Sequence, residues 1–339
     1  MIKKFYLLLL SSLSLLAEDQ EHPVTPEHVE SHLEEAEAEF EKAKKMFSPW
    51  YTGPLLAPSA NVVPPGKFNL QPYLFFTNNF AKYDQHGHAH DIPNLHQIKP
   101  SVVFQFGLIK RVYGMITTQA VRNKQYGHSS TNWTDTIGGF GIGLLTEGLY
   151  NPGLLISIRE TFPTGKYQHL DPRKRGVDAT GAGAYQTQLG FNLGKAVWWL
   201  TLHPMRFRLA QSWDIPAMVH VRGFNTFGGG HGTRGKVRLG HSYSADFGYE
   251  FSFTQSWAAA LDVVYTYTQK TKFTGRTGTS AAGVPNVVGG PFSDQLSLAP
   301  AIEYNVNSNI GFIGGVWFSV WGRNSLDFLS GIFSVNFAF

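Results

Sequence analysis

The sequence predicts an all-β fold: an antiparallel up-and-down transmembrane β-barrel of about twelve strands, preceded by a short N-terminal helix. Three observations carry this. From Phe68 onward apolar residues recur at every second position, the period of a strand with one greasy face. Aromatics make up 14% of the chain, with 36 Gly, yet charged residues reach only 15%, against about 25% in soluble domains. No apolar run beyond residue 17 approaches the roughly 20 residues of a spanning helix. Such a composition suits strands that alternate lipid-facing and lumen-facing side chains.

Residues 1–17 read as a signal peptide, with Lys3 and Lys4, a leucine-rich run over Phe5–Leu16, and Ala17. There is no Cys, so neither a disulfide framework nor a thiolate-ligated metal is available. Residues 18–49 form an acidic leader, with ten acidic and three basic residues over 18–47. Val29, Leu33, Ala36, Phe40, Ala43 and Phe47 follow a heptad spacing, which predicts a periplasmic helix, either partly ordered or lodged against a partner or the barrel mouth. Residues 50–66 are a Pro-rich linker, and residues 67–339 the barrel.

Strands are expected at Phe68–Thr77, Gln97–Leu108, Val112–Arg122, Asp135–Leu145, Leu154–Phe162, Tyr185–Leu193, a stretch from Val197 interrupted at His203-Pro204, Val237–Phe253, Ala258–Tyr267, Leu296–Val306, Ile310–Trp321 and Phe328–Phe339. The Val237–Phe253 stretch alternates over seventeen residues, longer than most soluble strands. Connections alternate in length. Long ones fall near 78–96, 123–133, 163–183, 214–236 and 269–293; short ones fall near 109–111, 147–153, 194–196, 254–257 and 306–309. The last outer connection, near Arg323, is a short exception. This pattern predicts an even strand number with both barrel ends in the periplasm and long loops outside.

Charges on the polar faces are candidates for the lining of a pore: Arg159, Arg206, Arg208 and Arg238 against Asp246, Glu250, Asp262 and Glu303. Rings of such charges set ion selectivity in pores, and the same residues arranged as salt bridges would close the lumen. Adjacent strands are expected to bring Arg206, Arg208 and Arg238 near Asp246, Glu250 and Asp262. His86, His88 and His90 alternate in the first long connection; they are weak metal-ligand candidates against a solvated loop. No cofactor is expected. His241 and Ser242 fall on opposite faces of their strand, which argues against a nucleophile–base pair. Phe162-Pro163-Thr164-Gly165-Lys166 lacks the frame of a phosphate loop.

The run Thr134-Asp135-Thr136-Ile137-Gly138-Gly139-Phe140-Gly141, with Phe162–Lys166 and Asp178-Ala179-Thr180-Gly181-Ala182-Gly183-Ala184-Tyr185, resembles the phenol meta-pathway-type outer-membrane proteins. Thr134 stands where that family usually has Gly. The alternating last strand ending on Phe339 resembles the element by which the bacterial barrel-assembly machinery recognises outer-membrane proteins. These resemblances imply a barrel in the outer membrane of a Gram-negative-type bacterium, contacting its lipid. They also imply passive uptake of small organic, often aromatic, solutes, with no catalytic residues. The alternatives are a plugged surface-exposed scaffold and a lipid-modifying enzyme. No nucleic-acid partner is expected; oligomerisation is open.

Overall fold

The computed structural model describes Glu30, residues 32–36, Ala38, and residues 49–148, 150–197, 203–280 and 282–339. The signal-like segment and most of the heptad stripe lie outside the described residues. The described part of the leader is helical, and it belongs to a compact unit separate from residues 46–339.

The barrel is antiparallel and closed, with 12 strands. In chain order, β1 spans Phe68–Tyr83, β2 Ala89–Ile109, β3 Val112–Gln125, β4 His128–Trp133, β5 Thr136–Leu145, β6 Gly153–Phe162, β7 Gln186–Val197 and β8 Met205–Pro216. They are followed by β9 Val219–Arg222, β10 Arg234–Arg238, β11 Ser242–Ser252, β12 Trp257–Thr268, β13 Lys272–Arg276, β14 Ser293–Asn305, β15 Ile310–Arg323 and β16 Leu326–Ala338. Each barrel strand pairs with the next, and β16 returns to β1. At the seam the Phe68 N–H donates to the Phe339 carbonyl (3.2 Å) and the Phe339 N–H to the Phe68 carbonyl (2.9 Å). With no free edge, every strand finds backbone partners, which a wall in hydrocarbon demands. β4 pairs with the outer end of β3, and β9, β10 and β13 form a separate three-stranded sheet at the loop end.

The period of two explains which way side chains point. Large apolar residues such as Phe76, Phe104, Phe140, Ile158, Phe247 and Phe333 stand exposed on the outer surface. Polar residues including Ser157, Asn192, Glu250, Asp262, Glu303 and Ser330 are buried toward the lumen. This is the reverse of a soluble protein and the pattern of a wall bathed in lipid. Among the described residues no helix is long and apolar enough to cross a membrane. The fold is that of an outer-membrane β-barrel.

Several expected elements are corrected. The connection expected at 123–133 carries β4, and the short one expected at 194–196 lies inside β7, so the strand expected from Val197 begins at Met205. The connection expected at 78–96 is mostly strand: β1 and β2 run past the membrane zone and join through residues 84–88. Its polar sequence hid a hairpin, because a strand projecting into water needs no greasy face. The long strand expected at Val237–Phe253 is two. Val237 is fully buried in the outer sheet, against Val219, Val221 and Val288, and the barrel strand starts only at Ser242. Alternation continues across the break because both pieces have one buried face.

Candidate functional site

The lumen is occupied by the protein itself. Residues 49–66 carry no strand beyond an isolated bridge from Pro65 to Gly107, and they run along the inside of the wall as a strap. Prolines at 54, 58, 64 and 65 keep this segment extended and remove N–H groups that would want partners. Four of the N–H groups that remain are met by carboxylates. Thr52 and Gly53 donate to Glu303 Oε2 at 2.9 and 3.3 Å. Leu56 and Ala57 donate to the two oxygens of Asp262, both at 3.1 Å. Thr52 Oγ1 donates to Asn305 Oδ1 (2.7 Å), Asn305 Nδ2 to the Trp50 carbonyl (3.0 Å), and Asn192 Nδ2 to the Ser59 carbonyl (3.2 Å).

Apolar packing completes the anchorage. Leu55 is fully buried among Ala260, Ala299, Ala301, Ile313 and Ile332. The wall admits it because it is built there from small residues; a Cβ on Gly315 would stand 2.5 Å from the Leu55 side chain. Gly53 takes φ +111°, open to glycine alone at low cost, and lies flat against the Arg208 guanidinium.

Arg208 forms the central ion pair, its Nε donating to Glu250 Oε2 at 2.8 Å and its Nη2 to Oε1 at 3.3 Å, with both side chains buried. Such a two-pronged pair satisfies charges that would otherwise be costly away from water. Of the residues singled out from sequence, Arg208, Asp246, Glu250, Asp262 and Glu303 are all buried, and the ion pair and the strap's carboxylate anchors lie among them. Arg206 is the cross-strand register partner of Glu250, as expected, but its guanidinium turns to a different carboxylate. It pairs with Glu147 at 2.9 Å, and its guanidinium lies 5.0 Å from the centre of the Tyr51 ring. Arg238 is corrected most sharply: it belongs to β10 of the outer sheet, because the strand that was to carry it into the lumen is broken.

Beside the strap a cavity of about 650 Å³ remains, lined by Tyr73, Phe75, Val103, Tyr113 and Met115 with Arg159 and Arg208. Arg159 Nε has no hydrogen-bond partner. Tyr73 and Phe75 are stacked with ring centroids 5.7 Å apart, and Lys99 Nζ sits 4.6 Å from the Phe75 centroid. Sequence reasoning missed this aromatic lining, since Tyr73 and Phe75 alternate with the lipid-facing Leu74 and Phe76 and polarity does not separate them. It also missed the strap. The signal available was the density of prolines in residues 50–66, together with surplus buried carboxylates on the wall.

The loop end is also filled. Asn79 Nδ2 donates to Gln97 Oε1 (3.2 Å), Gln97 Nε2 to Asn123 Oδ1 (2.9 Å), and Asn123 Nδ2 to the Val177 carbonyl (3.0 Å). This amide ladder runs across β1, β2 and β3 and ties down the 163–185 loop. The segments that carried the family resemblance meet at the root of that loop: Asp135 accepts from Gly165 N and Ala182 N, both at 2.8 Å. Lys166 Nζ lies 2.6 Å from Asp178 Oδ2. Burial opposes ionisation of Asp178, but Lys166 and the Asp171 N–H overcome it and hold the carboxyl below its ordinary range.

At the β1–β2 tip Asp84 gathers the histidines. His90 Nε2 lies 3.1 Å and His88 Nδ1 3.5 Å from Oδ2, while the backbone N–H groups of His86 and His88 donate to Oδ1. The His88 N–H and the His90 ring hold this carboxyl well below the usual range. His86 turns to Gln85 instead. Among the described residues no three His, Cys, Asp or Glu side chains are grouped to hold a metal. Ser242 Oγ is bonded to Thr268 Oγ1 at 3.0 Å on the inner face, while His241 lines a cleft at the outer rim.

No family model matches the chain, and no curated protein matches it in sequence. Among solved structures it is similar to the COG4313 outer membrane channel from Pseudomonas putida F1, at 11% identity and a TM-score of 0.65, covering 83% of this chain and 98% of that one. It is also similar to the translocator domain of the autotransporter NalP from Neisseria meningitidis, at 11% identity and a TM-score of 0.45, covering 91% and 97%. These likenesses are of fold, and the first agrees with the barrel derived from the strand pairing.

Proposed function

We propose that this chain is an outer-membrane channel for passive uptake of small organic solutes, in which the strap narrows the lumen to a path along β1, β2, β3 and β6. The observation that carries this reading is the cavity beside the strap inside a closed barrel. Its aromatic and thioether lining suits the flat apolar face of a small solute, while Arg159 offers a cation to a polar or anionic end. The resemblance at residues 134–141, 162–166 and 178–185 supports the same solute class. On this reading residues 1–17 direct export, residues 18–49 are a periplasmic leader, and the β16 strand ending at Phe339 addresses the assembly machinery. Arg206, Arg208, Asp246, Glu250, Asp262 and Glu303 act as a buried ionic frame for the strap, and Arg159 is the charge presented to solute.

Liposome swelling tests the solute class. Proteoliposomes are expected to swell faster in isosmotic benzoate or benzyl alcohol than in a sugar of similar mass. Equal rates would contradict the aromatic preference. No swelling in any solute, together with no conductance, would favour a second reading: a surface-exposed barrel closed by the strap below and the 163–185 loop above.

A further inference from the structure

The outer rim carries a cleft that faces away from the lumen. Below it the outward side chains form an aromatic belt. Trp213 and Tyr243 have ring centroids 5.1 Å apart, Tyr267 and Phe292 6.4 Å, and the Arg323 guanidinium lies 5.1 Å from Phe292 and 5.4 Å from Trp321. Such belts sit at the headgroup level of a membrane. Above the belt a cleft of about 840 Å³ opens, with Met218, Leu239 and Phe292 on its apolar side and Arg238, Lys270 and Lys272 on its polar side; His241 borders it.

The charges are unusual in two ways. Among the described residues no carboxylate lines the cleft. Asp294, register partner of Tyr267, is buried and engaged by Arg323 through both oxygens. Arg238 and Lys272 are direct cross-strand partners in the β10–β13 pair. Like charges opposite one another oppose pairing unless an anion lies between them. The backbone fixes this arrangement. The Gln269 N–H donates to the His241 carbonyl at 2.9 Å, and a Cβ on Gly240 would stand 1.8 Å from the Gln269 carbonyl oxygen, so the two basic segments cannot separate without breaking the rim.

We propose that this cleft binds the phosphorylated headgroup of an outer-leaflet glycolipid. The phosphate lies between Arg238 and Lys272, with Lys270 beside it, and the first acyl methylenes lie over Met218, Leu239 and Phe292. Charge complementarity selects an anion. The position directly above the belt and beside the exposed, outward Trp213 and Ile215 selects a lipid over a soluble anion. The inference rests on the barrel standing in a membrane and not on transport, so a closed lumen would leave it intact.

The test is native mass spectrometry of the full barrel in uncharged detergent, titrated with diphosphoryl lipid A. Phosphatidylethanolamine serves as the zwitterionic control and inorganic phosphate as competitor. Lipid A adducts are expected on the wild type and are expected to fall about tenfold in R238Q/K272Q. Heat-modifiable electrophoretic mobility checks that the variant is folded, and K272Q alone gives a second reading if the double variant is not. Equal adducts on wild type and variants, equal retention of phosphatidylethanolamine, or displacement of lipid A by millimolar inorganic phosphate would each overturn the proposal.

Discussion

The wall from β11 to β15 and the wall from β1 to β6 enclose the same lumen with different materials. On the first many inward residues are small or acidic: Ala258, Ala260, Asp262, Ala299, Ala301, Glu303 and Gly315 leave a groove and supply acceptors, and the strap lies in it with Leu55 against Ile313. On the second the inward residues include the larger side chains Tyr73, Phe75, Tyr113, Met115 and Arg159, and the space beside them stays open as the cavity. A barrel of about twelve strands is too wide to be filled by its own wall side chains, as an eight-stranded one is, and too narrow to be an open porin. Here the excess width is divided between a segment of the same chain and the cavity beside it.

If the strapped wall is held by buried charge, its heaviest dependence is on the ion pair. R208M is expected to destabilise the barrel by about 3–5 kcal/mol, because Glu250 is left buried and unpaired. R208M/E250L should recover a large part of that loss; urea unfolding in lipid followed by tryptophan fluorescence measures both. A single variant as stable as the wild type would show that the pair is not what anchors this wall. Next come the strap's own contacts. D262N and E303Q each convert charge-assisted acceptors to neutral ones, with an expected loss of about 1.5–3 kcal/mol in local strap anchorage. Hydrogen exchange at Thr52, Leu56 and Ala57 should quicken accordingly, by roughly tenfold or more, with little change in β1 to β6. On the open wall the expected effect is functional. R159Q should leave stability nearly unchanged and shift the reversal potential toward cations, and an unmoved reversal potential would remove Arg159 from the path.

The smallest effect concerns pH at the outer end. The Asp178 carboxyl is held below its ordinary range by Lys166 and the Asp171 N–H. Its contribution to loop stability is therefore full above the ordinary carboxylate pKa and is lost as pH falls through the lowered folded value. The protection factor of Asp171 N, taken against the intrinsic exchange rate at each pH, should stay flat from neutrality down to about pH 5 and fall at strongly acidic pH. D178N should show no such acid dependence.

The wall was legible in the sequence because a lipid-bathed strand has a simple code. The strands expected at Leu154–Phe162, Ala258–Tyr267, Leu296–Val306 and Ile310–Trp321 match β6, β12, β14 and β15 to within a few residues. The code fails where the outer face meets water. The β1–β2 hairpin carries polar residues on both faces, and Val237 alternates in register with β11 while belonging to another sheet. It also fails inside the lumen. Alternation assigns Asp262 and Glu303 to the interior but says nothing of what they hold, since their partners are backbone N–H groups of a segment some two hundred residues or more away in sequence. A proline-rich stretch reads as a spacer; that it is also the right material to lie against a wall, extended and poor in donors, emerges only once the wall is built.

Single-channel conductance in planar bilayers, compared between the full chain and a chain lacking residues 50–63, bears most directly on the claim that the strap sets the bore. The shortened barrel should still insert and should conduct several-fold more than the full chain, with weaker discrimination among solutes. Equal conductance in the two would mean that the strap does not lie across the path that ions take.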